Sequence, residues 1–226
     1  MVTLAIDTST SILSVALVRD DEVLASLDEA TKNNQSEILV SRIESMMNDC
    51  NLKPAELERI AVAIGPGSYT GIRVGVAAAK SLGYALDIPV AGVSSLEVMA
   101  QFSLEQYFIS KSKVEIIVPM IDARRGTVFA GAYDAAGKRI VPDGHYDRNA
   151  FLERFPRKGT SVFYIGDESL VFKTEELWMT VETVLDEGTK AETLARLANK
   201  RPSIENIHKL VPNYLRKTEA EMNAGV

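Results

Sequence analysis

The sequence predicts an α/β fold built twice along the chain, and three observations carry that prediction. An apolar strand at residues 2–6 runs into a polar turn, Asp7-Thr8-Ser9-Thr10, and then into two alternating segments that read as a hairpin. The same succession returns one domain later, with a strand at 116–121, the turn Asp122-Ala123-Arg124-Arg125-Gly126, and further strands at 127–133 and 139–146. Between the two openings, helical stripes alternate with short apolar runs, the mark of an α/β layer structure.

Taken in order, residues 12–18 and 22–27 alternate well enough for two strands, with Asp20-Asp21 at the turn between them. Residues 34–50 read as the first helix. Asn34 and Glu37 have capping-box spacing, and Leu39, Ile43, Met46, Met47 and Cys50 form its apolar stripe. Ile38 and Arg42 lie beside that stripe, where they are placed to meet a partner. Pro54 suits the first turn of a short helical segment. Residues 60–64 form a fourth strand.

The stretch 64–85, IGPGSYTGIRVGVAAAKSLGYA, then opens as a Gly-Pro-Gly turn and becomes a long helix, with Ser68 as its N-cap. Gly67, Gly71, Gly75, Ala79 and Gly83 recur every fourth residue, a stripe of small side chains. Each interior glycine costs a helix about 1 kcal/mol against alanine, so close approach of another backbone is expected in return. The opposite side is still apolar, with Ile72, Val74, Val76, Ala77 and Leu82, and Arg73 and Lys80 are its only charges. A helix apolar nearly all round is buried nearly all round. Either its second face packs on a partner, or the helix is central to one domain. A fifth strand at 88–93 follows, and Ser94 with Glu97 caps a helix running to about residue 108. The order is β-β-β-α-β-α-β-α.

The small and charged tract at 110–115 marks a domain boundary. The expected division is an N-terminal domain at 1–108, a smaller C-terminal domain at 109–210, and a segment 211–226 returning to the domain interface or the N-terminal domain. Within the second domain a strand at 161–165 precedes helical segments near 168–172 and 190–200.

The chain has 226 residues, 46% of them hydrophobic and 25% charged, enough for a sizeable core. A net charge of −6 argues against a general nucleic-acid surface. One cysteine, Cys50, excludes an internal disulfide and a cysteine-rich metal site. No run approaches transmembrane length, so a cytoplasmic location with no membrane partner is expected. His145 and His208 are isolated in sequence, and no metal site is expected from them. His145 follows Asp143-Gly144 and reads as an exposed loop residue. Ser68 does not sit in a G-x-S-x-G elbow. Two readings stay open for Asp7, Thr8 and Ser9: a phosphate or Mg²⁺ contact, or an Asx-type turn that closes the strand. Three stay open for Asp122, Arg124 and Arg125: a contact with phosphate, free or in a nucleic-acid backbone, a salt bridge to a partner, or a solvated loop. Arg216 could join the same site or stabilise the domain interface.

Strand, polar turn and hairpin resemble the opening of the actin/sugar-kinase/Hsp70 (ASKHA) superfamily, which implies two β-β-β-α-β-α-type domains with a cleft between them. The phosphate loops of that superfamily are glycine-rich, and neither turn here is. More specifically, AIDTST, GPGSYTGIRVG, IPVAGVSSLE, IDARRGTV and PNYLRKTEAE resemble, in that order and across the whole chain, the TsaB (YeaZ) family. The resemblance implies a non-catalytic partner of TsaD in tRNA threonylcarbamoyladenosine (t6A) formation. That complex transfers threonylcarbamoyl from threonylcarbamoyl-AMP to N6 of adenosine 37, in tRNAs reading ANN codons. The implied partners are TsaD as a heterodimer, the ATPase TsaE, a second copy when TsaD is absent, and tRNA through the complex. No cofactor is intrinsic, and ATP or ADP and Mg²⁺ belong to the complex. The implied interface is Ile38, Arg42, Met46, Tyr69, Gly71, Arg73, Gly75, Val76, Ala77 and Lys80, and Gly75→Leu is expected to block pairing while the monomer stays folded.

Family members commonly carry a His at the position of Gln35. The catalytic relative TsaD carries H-H-L-E-G-H, against Ser94-Ser95-Leu96-Glu97-Val98-Met99 here, so its two histidines four apart fall on Ser95 and Met99. A hydroxyl and a thioether cannot make that hard-metal site. The competing hypothesis is an ATP-dependent small-metabolite phosphotransferase, with Asp7 and Asp122 around Mg²⁺.

Overall fold

The computed structural model describes residues 1–31, 34–107, 115–155, 162–166, 191–204 and 206–216. The chain divides into two units, Met1–Phe102 with Gly188–Pro212, and Ser103–Glu187 with Asn213–Val226.

In the first unit, β1 (Val2–Asp7), β2 (Ile12–Arg19) and β3 (Glu22–Ala30) form an antiparallel meander. β4 (Arg59–Ala63) and β5 (Val90–Val93) then add in parallel on the other side of β1, giving the order β3-β2-β1-β4-β5. Parallel neighbours need crossovers. Helix α1 (Gln35–Asp49) and a 3₁₀ turn at Pro54–Glu56 lead from β3 to β4, and α2 (Tyr69–Leu86) leads from β4 to β5. β1 and β4 are buried along their whole length, as central strands covered on both faces must be.

The two-residue period of the strands sorts the core by size. Leu4, Ile6, Val15, Leu17, Ile60 and Val62 point to one face, where Leu39, Ile43, Met46 and Met47 of α1 and Ile72 and Val76 of α2 cover them. Each such side chain contributes about 1.5–3 kcal/mol when buried. The intervening residues Ala5, Ala16, Ala61, Ala63 and Ala91 point the other way, against Ala191, Leu194, Ala195 and Ala198 of α5 (Ala191–Asn199). Small side chains on both sides let that helix lie close to the sheet.

This pairing corrects the expected division, which kept 109–210 together. The alanine face of the first sheet needs a small-residue cover, and α5 supplies it from about a hundred residues away. Polar ties fix it there. The Ala191 amide donates to Ser14 Oγ (3.0 Å), and the Arg59 guanidinium donates to the Ala198 and Arg201 carbonyls (2.8 and 2.9 Å). The first boundary also falls earlier than 108, inside α3 (Ser95–Tyr107). The final segment joins the second unit from Asn213, not the first. The tract at 110–114 and the helical segment at 168–172 lie outside the described residues.

The second unit repeats the plan. β6 (Ile116–Asp122), β7 (Thr127–Asp134) and β8 (Arg139–Asp147) form a meander, and β9 (Val162–Gly166) pairs in parallel with β6, giving β8-β7-β6-β9. The short helix α4 (Arg148–Leu152) is capped by Asp147, whose carboxylate accepts from the Ala150 amide at 2.9 Å. It presents Phe151 to a core of Val118, Met120, Val128 and Tyr164, with Phe155 edge-on at 5.4 Å.

Smaller expectations also change. Asn34 is the N-cap of α1 but makes no side-chain cap bond. Gly67 precedes α2 and is not one of its interior glycines, whereas Ser68 does cap that helix, accepting from the Gly71 amide.

Candidate functional site

The β1–β2 turn lies beneath the start of α2. Asp7 ends β1 fully buried, and its Oδ1 accepts from the Ser9 amide at 2.8 Å, an Asx turn. Burial pushes the Asp7 carboxyl up to about 6; the bonds from Ser9 oppose the rise and the charge of Asp28 adds to it. Thr8 Oγ1 donates to the Gly71 carbonyl at 2.7 Å, and the Ser68 amide donates to the Ser9 carbonyl at 2.7 Å. Gln35, where the family commonly has His, is buried and donates from Nε2 to the Thr10 carbonyl at 2.9 Å. Ser9 Oγ is buried and makes no hydrogen bond among the described residues.

This packing reassigns the glycine stripe. A Cβ on Gly71 would overlap the Thr8 carbonyl oxygen, one on Gly75 would overlap Thr8 Oγ1, and one on Gly67 would overlap the Ser9 carbonyl oxygen. The close approach that the sequence demands is made by the chain's own turn, not by another helix. Amides at the start of α2 are engaged as well: Ser68 N on Ser9, Gly71 N on Ser68 Oγ, and Ile72 N on the Ser68 carbonyl. The turn therefore shows α2 its carbonyl oxygens, with a carboxylate behind them.

The corresponding turn of the second unit has the same Asx bond, Arg124 N to Asp122 Oδ1 at 2.8 Å. It stands exposed instead of covered. Arg124 and Arg125 both take left-handed backbone angles, φ 69° and 54°, and both are exposed. Arg124 also reaches Asp122 Oδ2 at 3.3 Å. The Arg148 amide donates to the Gly126 carbonyl (3.0 Å), and Arg216 Nη1 donates to the Ala123 carbonyl (3.0 Å). His145 is not a loop residue. It lies half-buried in β8, with Nε2 2.7 Å from Thr127 Oγ1. Desolvation and then the Arg216 charge hold its pKa below the usual histidine value.

The residues expected to meet a partner separate into two sets. Tyr69, Arg73 and Ala77 form an outward face of α2, and Tyr84 extends it. Tyr69 and Tyr84 are 47% and 73% exposed, and the Arg73 guanidinium lies over the Tyr69 ring at 4.7 Å. On α1, Val40 is 62% exposed, a residue the sequence reading passed over because it falls outside the apolar stripe. Met46, Gly71, Gly75 and Val76, by contrast, are buried in their own unit. Ile38 packs against that core. Arg42 is held by Glu29 through two bonds, at 2.6 and 2.9 Å. Lys80 donates to the His208 and Leu210 carbonyls, tying the 3₁₀ turn at Ile207–Lys209 to α2. Gly75→Leu therefore breaks the fold before it reaches any partner.

At the start of α3, Ser95 is buried with its amide on the Gly65 carbonyl at 3.0 Å, and its Oγ makes no hydrogen bond among the described residues. Glu97 is paired with Arg201. Among the described residues, no group of three or more His, Cys, Asp or Glu side chains is placed to hold a metal ion. No described helix is long and apolar enough to cross a membrane.

Comparison with known proteins fits this geometry. A family model described as TsaD, tRNA N6-adenosine threonylcarbamoyltransferase, matches residues 27–224. The tRNA threonylcarbamoyladenosine biosynthesis protein TsaB of Bacillus subtilis (strain 168) is 37% identical over 229 residues, covering 98% of this chain and 96% of that protein. This chain belongs to the TsaB family. The TsaB of Escherichia coli (strain K12) is 32% identical over 130 residues, 58% of this chain and 54% of that protein. Among solved structures, YeaZ from Pseudomonas aeruginosa superposes with a TM-score of 0.75 at 24% identity, over 95% of this chain and 99% of that one. That likeness shows the fold, a mixed α/β architecture.

Proposed function

We propose that this TsaB-family chain is the non-catalytic partner of a TsaD-type threonylcarbamoyltransferase in t6A formation on tRNA. It pairs through the outward face of α2. The observation that carries the pairing is that face itself: Tyr69, Arg73, Ala77 and Tyr84 stay exposed on a helix whose other side is buried. Aromatic residues and arginine, as at Tyr69, Arg73 and Tyr84, are the types enriched at interfaces. Val40 and the solvent side of α1 extend the surface. A specific interface buries roughly 1,600 Å² in total, which two exposed helices can supply. TsaE, a homodimer in the absence of TsaD, and tRNA are further partners on this reading, with ATP or ADP and Mg²⁺ belonging to the assembly.

The non-catalytic role is supported by residue chemistry. Ser95 and Met99 stand where the catalytic relative has histidines, and the turn that a phosphotransferase would offer to phosphate is filled by Thr8 against Gly71 and Gly75.

The test is to mix this chain with TsaD from the same organism and follow size-exclusion chromatography with light scattering. A mixed species replacing both separate peaks is expected. Ala77→Arg should remove it, because a charged, bulky side chain at the centre of the face costs several kcal/mol against a desolvated partner, while the exposed position leaves the fold intact. Independent elution of the two wild-type proteins, with and without ATP, would refute the pairing. Undiminished pairing by Ala77→Arg would refute the α2 face.

A further inference from the structure

We propose that the β6–β7 turn of the second unit is a contact for an RNA phosphodiester backbone, read by the side chains of Arg124 and Arg125 with Arg148 and Arg216 beside them. This rests on the tRNA-modification reading above and adds to it a surface by which this chain touches the nucleic acid itself.

Two observations on different scales lead there. The first is conformational. Arg124 and Arg125 hold successive left-handed backbone angles, φ 69° and 54°, with Gly126 following at φ 75°. L-residues resist that region and glycine enters it freely. Glycine would relieve the backbone at both positions, and a glycine-rich turn is the form that cradles a nucleotide. The chain instead spends two arginines there, and both are exposed. A strained conformer that displays a particular side chain is an observation from which a functional hypothesis can start.

The second is electrostatic. The chain carries a net charge of −6. Among the described residues, four arginines gather at this turn beside two aspartates. Arg148 is joined to it through its amide on the Gly126 carbonyl, and Arg216 reaches the Ala123 carbonyl from the C-terminal segment. Asp122 is already engaged by Arg124, and Asp147 by the cap of α4. Exposed arginines on an acidic chain suit a secondary contact with a polyanion that a larger partner holds in place.

A free nucleotide fits less well. Phosphate cradles work through converging backbone amides. Here the Arg124 amide is committed to Asp122, the Ala123 and Thr127 amides to carbonyls within the turn, and the Arg148 amide to Gly126. What the turn offers outward is guanidinium, which suits phosphodiester oxygens by charge and fork geometry.

The experiment measures binding of an unmodified tRNA transcript to the full chain, alone and mixed with TsaD, across 50–200 mM KCl. It compares the parent with Arg124→Gly/Arg125→Gly and with Arg124→Lys/Arg125→Lys. The Gly pair should stay folded, keep its assembly with TsaD, and bind tRNA about 10-fold more weakly at low salt. The slope of log affinity against log salt should flatten by about 2, one for each lost phosphate contact. The Lys pair should keep most of the slope. An unchanged affinity and slope in the Gly pair would overturn the proposal, as would a parent that binds no tRNA in either form, or tRNA binding displaced by low-millimolar ATP. Failure to assemble with TsaD counts against the pairing reading, and the chain alone then decides this one.

Discussion

In both units an aspartate ends the first strand and accepts a hydrogen bond at 2.8 Å from the amide two residues on, Ser9 to Asp7 and Arg124 to Asp122. The local chemistry is the same, and the surroundings set two different outcomes. In the first unit α2 closes over the turn, so Asp7 is fully buried and the turn becomes part of the core. In the second unit the turn is exposed, no described atom lies within 4 Å of where a Gly126 side chain would begin, and Arg124 and Arg125 are exposed on it. A duplicated motif thus serves as a structural joint in one copy and a display surface in the other. The determinant lies outside the motif: the first turn meets a helix with glycines at two successive turns, and among the described residues no such helix meets the second.

The sharpest way to break this comparison is to add side chains to both turns' glycines. Gly75→Leu drives carbon atoms into the buried Thr8 side chain and toward buried Val62 Cγ2. It should cost more than about 4 kcal/mol, the range of severe overpacking, and leave the first unit unfolded. Gly126→Ala meets no atoms and incurs only the left-handed backbone cost, about 1–2 kcal/mol. Urea melts followed by far-UV circular dichroism, with peptide-level hydrogen exchange to assign each change to its unit, would check both. A folded Gly75→Leu would mean that α2 does not close on the turn.

A second test uses charge. Unfolded, Asp7 titrates near the ordinary value of about 3.9; folded, burial holds it at about 6. Between those values the folded chain keeps a proton that the unfolded chain has released. The contribution is fully favourable below about pH 4 and is lost as pH rises through 6. The loss at neutral pH is on the order of 2–3 kcal/mol. Asp7→Asn keeps an oxygen for the Ser9 amide and removes the ionisation, so it should flatten the stability profile between pH 4 and 6.5. At pH 7 Asp122→Asn, which loses only a solvent-exposed pair with Arg124, should change stability by less than about 1 kcal/mol. An Asp7→Asn profile that changes with pH as the parent's does would contradict the burial of Asp7.

How much of this was legible in the sequence depends on the range of the interaction. Strand alternation, the turns, the Ser68 cap and the duplicated order are local signals, and all are present in the structure. The glycine stripe correctly announced a close approach, but periodicity cannot say what approaches, and a helix was expected where Thr8 and Ser9 arrive. The place of α5 was hidden for a related reason. Ala5, Ala16, Ala61 and Ala63 read as unremarkable members of apolar strands, and only their common face shows that a small-residue helix must cover them. His145 looked exposed because Asp143-Gly144 suggests a loop, whereas β8 continues through both and brings the ring to Thr127. Gln35 was read only as a departure from the family's His, and its bond to the Thr10 carbonyl depends on a helix start meeting a turn 25 residues earlier.

The smallest expected difference comes from the two threonines that brace the turns. Thr8 Oγ1 donates to the Gly71 carbonyl at 2.7 Å in a buried site, and Thr127 Oγ1 donates to the Arg124 carbonyl at 2.8 Å in an exposed one. Valine is nearly the same size, so each Thr→Val change removes the hydroxyl with little change in packing: one hydrogen bond at Thr8, and at Thr127 the bond to Arg124 together with the 2.7 Å contact to His145 Nε2. At Thr8 water cannot replace the lost partner, and the cost should be about 1–2 kcal/mol. At Thr127 solvent takes up the freed carbonyl while half-buried His145 loses its partner, and the cost should stay below about 1 kcal/mol. The same urea melts read both. Equal costs at the two positions would mean that the turns share an environment as well as a motif, and the distinction between joint and display surface would fall with it.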